Sequence, residues 1–203
     1  MMSMRFFKLK SVALAAAMFA GVQANAETIL RYATISEPPS LDIQMGTASV
    51  ASLISQHMFE TLYAFDAAFA PQPLLVAQDR VEDGGKTLVL SLRKGVPFHN
   101  GQEMTAADVV ASLKRWGDHG SRGKLLLKAA VSVEATGTHE VTIKLSAPNG
   151  AWRNLLAFPN GGPVIYPADI VTKAGAEPIK KENYIGTGPY KFNDWRPNRY
   201  VEL

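Results

Sequence analysis

Asp83-Gly84-Gly85-Lys86 separates two β-prone runs, Val76–Val81 and Thr87–Leu92, and a turn of that composition brings such runs back antiparallel. This excludes an all-helical chain, and also a purely parallel sheet, whose strands need long crossovers. In the second run Leu88, Leu90 and Leu92 fall on alternate positions and share one face. The device recurs around Gly137, where Val131–Ala135 meets Glu140–Leu145 and Val141, Ile143 and Leu145 alternate with Thr142 and Lys144.

Helical periodicity fills the intervening stretches. Val50, Leu53, Ile54, Met58, Phe59 and Leu62 predict an amphipathic helix over 48–62. Thr105-Ala106-Ala107-Asp108 is a Thr-x-x-acid start signal for a helix reaching Trp116, with Val109, Leu113 and Trp116 inward at i, i+4 and i+7. Shorter helices are expected over 151–158 and 167–174, and further strands over 28–35, 190–195 and 199–203. Paired prolines, Pro38 and Pro39, close the first of these strands, and Pro71 and Pro73 break the chain again. Phe98 to Gly101 turns on its Asn-Gly pair, while Gly117–Lys124, rich in glycine and charge, reads as an irregular, mobile or ligand-facing loop. Hairpins interleaved with helices make the class α/β in the broad sense, a mixed α+β arrangement.

The 203 residues contain no cysteine, which excludes a disulfide framework, thiolate metal ligands and a cysteine nucleophile. Residues 1–26 read as a secretory signal: a basic start, an apolar stretch from Ser11 to Val22, then Ala24-Asn25-Ala26 in the small-x-small pattern of a cleavage site. About 12 apolar residues are too few to span a bilayer, which takes roughly 20, and the absence of a cysteine after them removes a lipid anchor. Three cations, Arg5, Lys8 and Lys10, leave with that segment, so 18 Lys and Arg face 18 Asp and Glu in a neutral mature chain. Neutrality removes the electrostatic argument for nucleic acid. The four histidines stand at 57, 99, 119 and 139 without metal-ligand spacing, no Gly-x-Ser-x-Gly elbow is present, and Gly186-Thr187-Gly188 runs into Pro189 where a phosphate loop needs a helix start. Neither a metal, a cofactor nor a catalytic group is expected.

Four segments in order carry a resemblance. Leu92-Arg93-Lys94-Gly95-Val96-Pro97-Phe98-His99-Asn100-Gly101 and Met104 to Arg115 are similar to the "LR.GV.FH.G...TA.DV..S..R" signature of the extracellular solute-binding proteins of family 5. Glu37 to Asp42 resembles that family's "P..LDP" segment and Ile185 to Lys191 its "GTGPY" segment, with Ile43 replacing the proline after Leu-Asp. The resemblance implies a periplasmic-binding-protein-like fold of type II (cluster C). It further implies a soluble, monomeric periplasmic receptor that captures a dipeptide, oligopeptide or similar small solute and hands it to the permease subunits of an ABC importer, without catalysis. Applied to this chain, it places residues 27–60 and 184–203 in domain I and 61–183 in domain II, with domain III absent. The architecture is therefore expected to be incomplete, and a truncated interaction module or remnant without transport stands as the second reading.

The resemblance also points to solute contacts at Thr47, Ser49 and Ser52, just after the Leu-Asp pair, and at Arg122 and Asn160 in domain II. The hydroxyls, guanidinium and amide suit hydrogen bonding to a small polar solute, although Thr47 could equally cap the 48–62 helix. The signature residues Phe98, Gly101, Thr105, Asp108, Val109, Gly186, Gly188, Pro189 and Tyr190 are read as structural, through core filling, turn formation and helix capping, with Gly186 and Gly188 as hinge candidates.

Overall fold

The computed structural model describes residues 29–203. In chain order these form α1 (Ser49–Ser55), β1 (Tyr63–Phe65), β2 (Pro71–Pro73), β3 (Val76–Glu82), β4 (Thr87–Leu92), α2 (Ala106–His119), α3 (Ser121–Leu127), β5 (Ala130–Gly137), β6 (Glu140–Leu145), α4 (Trp152–Ala157), α5 (Ala168–Ala174), β7 (Asp194–Arg196) and β8 (Tyr200–Glu202). The signal expected over 1–26 lies outside the described residues.

The two expected hairpins merge into one antiparallel sheet of order β3-β4-β6-β5, because each contributes its more apolar strand to the middle. Leu88, Leu90, Val141 and Ile143 are fully buried there. Asp83, Gly84 and Gly85 all take positive φ in the β3–β4 turn, which is why glycines stand at two of the three positions. Val109, Leu113, Trp116 and Leu126 from α2 and α3 complete this first core. A second core gathers Leu41, Ile43, Met58 and Phe59 with Val164, Tyr166, Ile170 and Tyr184. Each such side chain, fully buried, contributes roughly 1.5–3 kcal/mol.

Several expectations are corrected. No strand forms among residues 29–35. The helix expected over 48–62 stops at Ser55: the His57 and Met58 carbonyls, which a longer helix would use, instead accept the Tyr190 and Gly188 N–H groups at 3.0 and 2.9 Å. Pro71 and Pro73 do not interrupt regular structure but sit in β2, which pairs only with β1, and such an edge position tolerates a missing N–H. Gly117–Lys124 is not an irregular loop but two helices meeting at the extended Gly120: α2 continues to His119 and α3 begins at Ser121. Its glycines permit close packing, since a Cβ on Gly117 would lie 2.6 Å from Leu127 Cδ1 and one on Gly123 2.0 Å from the Trp116 carbonyl oxygen. The two terminal strands do form, shortened to the β7–β8 hairpin.

Candidate functional site

Helix α2 carries two stripes side by side. Val109, Leu113 and Trp116 face the first core, while Asp108, Ser112 and Arg115, at i, i+4 and i+7, form a polar stripe that bonds Ala168, Tyr166 and Asp42 respectively. Arg115 is 4% exposed and forks onto Asp42, itself 3% exposed: Nη2 donates to Oδ2 at 2.6 Å and Nη1 to Oδ1 at 3.2 Å. Its remaining donors reach Gln44 Oε1 at 2.8 Å and the Gly175 and Glu177 carbonyls at 3.3 and 2.9 Å. Asp42 Oδ2 also accepts the Ile179 N–H, and Gln44 Nε2 donates to the Val164 carbonyl at 2.7 Å. Ser112 Oγ accepts the Tyr166 N–H at 3.0 Å. A buried ion pair is tolerable only when its polar atoms are satisfied in this way. Tyr166 lies beside it fully buried, and burial, reinforced by the Asp42 carboxylate, pushes its hydroxyl well above the ordinary phenol range.

This anchorage fixes residues 40–44, so that Met45 to Ser49 emerge at the surface as an exposed rim. Opposite stands the loop after α4. Trp116 Nε1 donates to the Gly161 carbonyl at 2.8 Å and Arg122 Nη1 to the Asn160 carbonyl at 2.6 Å, while the Arg122 guanidinium lies 4.6 Å from the Phe158 ring centre. Gly161 has φ 63°, and a Cβ there would come within 2.9 Å of Thr47 Cγ2 and 3.1 Å of Arg122 Nη1. The structure therefore brings Thr47, Arg122 and the Asn160-Gly161 turn to one point, from positions spread between 47 and 161. Asn160 Oδ1 is buried there without a donor among the described residues. Thr47 does not cap α1, whose N-cap is Ala48. Ser49 is exposed in the first turn, whereas Ser52 is turned inward, 4% exposed, with its hydroxyl directed to the Ala48 carbonyl at 3.4 Å. A small cavity of about 110 Å³, bordered by Asp42, Ile43, Met45 and Gly46, adjoins the rim, and a wide groove of about 690 Å³ runs elsewhere, between α2 and α5. The chemistry on offer at the rim is hydrogen bonding and charge. Among the described residues no three His, Asp or Glu side chains converge as a metal site would require.

Residues 70–203 match the profile of the bacterial extracellular solute-binding proteins, family 5, middle region. The chain belongs to this family. Among curated relatives, the probable peptide ABC transporter periplasmic-binding protein y4tO of Sinorhizobium fredii is 35% identical over 148 residues, 72% of this chain and 27% of its own length. The oligopeptide-binding protein AppA of Bacillus subtilis is 28% identical over 181 residues, 84% of this chain and 32% of its own. The solved structure of AppA with a nonapeptide superposes with a TM-score of 0.72 at 27% identity, covering 83% of this chain and 34% of that one. That of AgaA from Agrobacterium tumefaciens with agropinic acid gives 0.72 at 27%, covering 81% and 33%. The fold is thus that of the type II periplasmic binding proteins, and the chain spans between 27% and 34% of the length of these three proteins.

In this family 5 chain the signature segments hold the frame together. Phe98 and Val109 are buried in the first core, and Gly101, with φ 86°, closes its turn by donating to the Phe98 carbonyl at 2.8 Å. The Asp108 carboxylate accepts from the Thr105 N–H and hydroxyl at 2.8 and 2.9 Å and from the Ala168 N–H at 2.8 Å, so it ties the start of α2 to the start of α5. His99 joins this turn to the distant glycines: its Nδ1 accepts the Gly186 N–H at 3.2 Å, and its Nε2 lies 2.9 Å from the Gly188 carbonyl oxygen. Gly186 and Gly188 are close-approach positions, since a Cβ on the first would sit 2.1 Å from the Met58 carbonyl oxygen and one on the second 2.6 Å from the Met58 carbonyl carbon. Pro189 is exposed, and the half-exposed Tyr190 ring meets His57 edge-on at 5.7 Å. Sequence reasoning assigns no role to Gln44, His99 or Arg115. The signal that could have found Arg115 is the polar stripe at 108, 112 and 115 beside the apolar one.

Proposed function

We propose that this chain forms part of the solute-capturing component of an ABC importer. In this reading it acts without catalysis in the periplasm, holds a peptide or similar small solute at the rim formed by Thr47, Ser49, Arg122 and Asn160, and presents it to permease subunits. Family membership supports the class, and y4tO and AppA, named for peptide transport and oligopeptide binding, support the solute. The observation that carries the reading is the convergence of Thr47, Arg122 and Asn160 on Gly161 with an exposed hydroxyl and an orphaned amide oxygen, beside a segment immobilised by a buried ion pair. We read residues 27–60 and 184–203 as domain I and 61–183 as domain II, and the presence of two cores supports a two-part division. Native mass spectrometry of the protein isolated from its host periplasm, together with calorimetric titration with mixed short peptides, tests the proposal. A bound small solute released on denaturation, and saturable heat on titration, are expected of a monomer. A bare protein with no saturable heat would remove the transport reading.

A further inference from the structure

We propose that Arg122 is a specificity-determining residue that anchors a carboxylate of the captured solute, so that the rim selects acidic or free-acid solutes over neutral ones. The inference rests on the reading of the rim as solute-contacting. Arg115 and Arg153 each fork onto a carboxylate, of Asp42 and Asp79 respectively. Arg122 has no carboxylate within 4.0 Å among the described residues. Its one hydrogen bond there leaves from Nη1 to the Asn160 carbonyl, so Nε and Nη2 remain uncommitted. The guanidinium is half-buried and laid over Phe158 at 4.6 Å, an arrangement that holds the planar fork in one orientation and strips part of its hydration. A partly desolvated cation without a counter-charge is costly, and a carboxylate accepting two parallel N–H groups is the partner whose geometry matches the free edge. Thr47, an exposed residue whose Cγ2 approaches Gly161 beside Arg122 Nη1, lies next to the guanidinium. Asn160 Oδ1, buried with no donor, marks this loop as one whose polar groups are not satisfied from within.

The carboxylate could belong to a peptide C-terminus or to an acidic side chain, and three peptide mixtures separate these sources. One has free C-termini and no Asp or Glu, the second has amidated C-termini with Asp or Glu, and the third is amidated without acids. Each is titrated into the protein expressed from its own gene and into its Arg122→Gln and Arg122→Lys variants. The first or second mixture, whichever matches the source, is expected to bind about tenfold or more tighter than the third, as loss of a charge-assisted hydrogen bond implies. Arg122→Gln should erase that preference, bringing the first two mixtures to the level of the third in the same variant, and Arg122→Lys should keep part of it. In the wild-type protein, affinity for the acidic mixture should also fall with rising salt more steeply than affinity for the neutral one, a readout that needs no variant. If the wild-type protein binds all three mixtures alike, or keeps its preference as Arg122→Gln, the role of Arg122 is overturned while solute capture stands. If none of the three binds, the peptide reading fails and this inference with it.

Discussion

Arg115 commits its guanidinium to one carboxylate, one amide and two backbone carbonyls, and Asp42 depends on it in turn. Removing one member leaves the other charged, buried and unpaired, which costs about 3–5 kcal/mol. Asp42→Ala is therefore expected to lower unfolding stability by that order in urea titration, and a loss below about 1 kcal/mol would show that water reaches the pair. A second, more exposed charge site gives a pH prediction. Burial pushes the Asp79 carboxyl up, but hydrogen bonds from Arg153 and Tyr63, with the Arg153 charge, outweigh it and hold the group below the usual carboxylate range. A depressed folded value means this stability is present above the unfolded pKa of about 3.9 and is lost as pH falls through the folded one. Urea midpoints measured from neutral to acid pH should show a shallower acid decline in Arg153→Met than in the parent, and identical slopes would sink the assignment.

At the scale of elements, glycine is where sequence reasoning and structure part. The hairpins at Gly84-Gly85 and Gly137 are legible because turn chemistry is local, and so is the start of α2, where Thr105 and Asp108 meet within one turn. Gly117 and Gly123 carry the same residue type for an opposite reason: they let α2 and α3 approach, a demand set by the neighbour and not by the chain itself. Gly123→Ala should cost about 1–3 kcal/mol, because its Cβ meets the backbone of Trp116 and no side-chain rotation relieves it. Gly150→Ala, with nothing within 4 Å, should stay within about 0.5 kcal/mol. Equal thermal shifts for the two variants would refute the packing explanation. The helix expected over 48–62 fails by the same logic, since the residues that end it are Gly188 and Tyr190, over 130 positions away.

Across the molecule, α2 serves both cores, and this couples them. Residues 34–203 are accordingly expected to unfold in one cooperative transition, with circular dichroism and tryptophan fluorescence giving the same midpoint; two separated midpoints would mean the cores are independent. Of the candidate site, the residue types at Thr47, Arg122 and Asn160 are legible as hydrogen-bonding groups, but their meeting at Gly161 is not, because it depends on how α3 and the loop after α4 lie against the rim. Ser52 shows the limit from the other side: a polar residue in the right stretch, turned inward by the phase of its helix.

The side chains of Asp42 and Gln44 find their partners at separations of between 68 and 137 residues. A polypeptide that emerges amino end first therefore carries the rim unanchored while the β3–β6 sheet, whose neighbours are mostly local, can already close. Anchorage of the rim is completed only by Ile179, so an interrupted chain would display the sheet without the fixed rim.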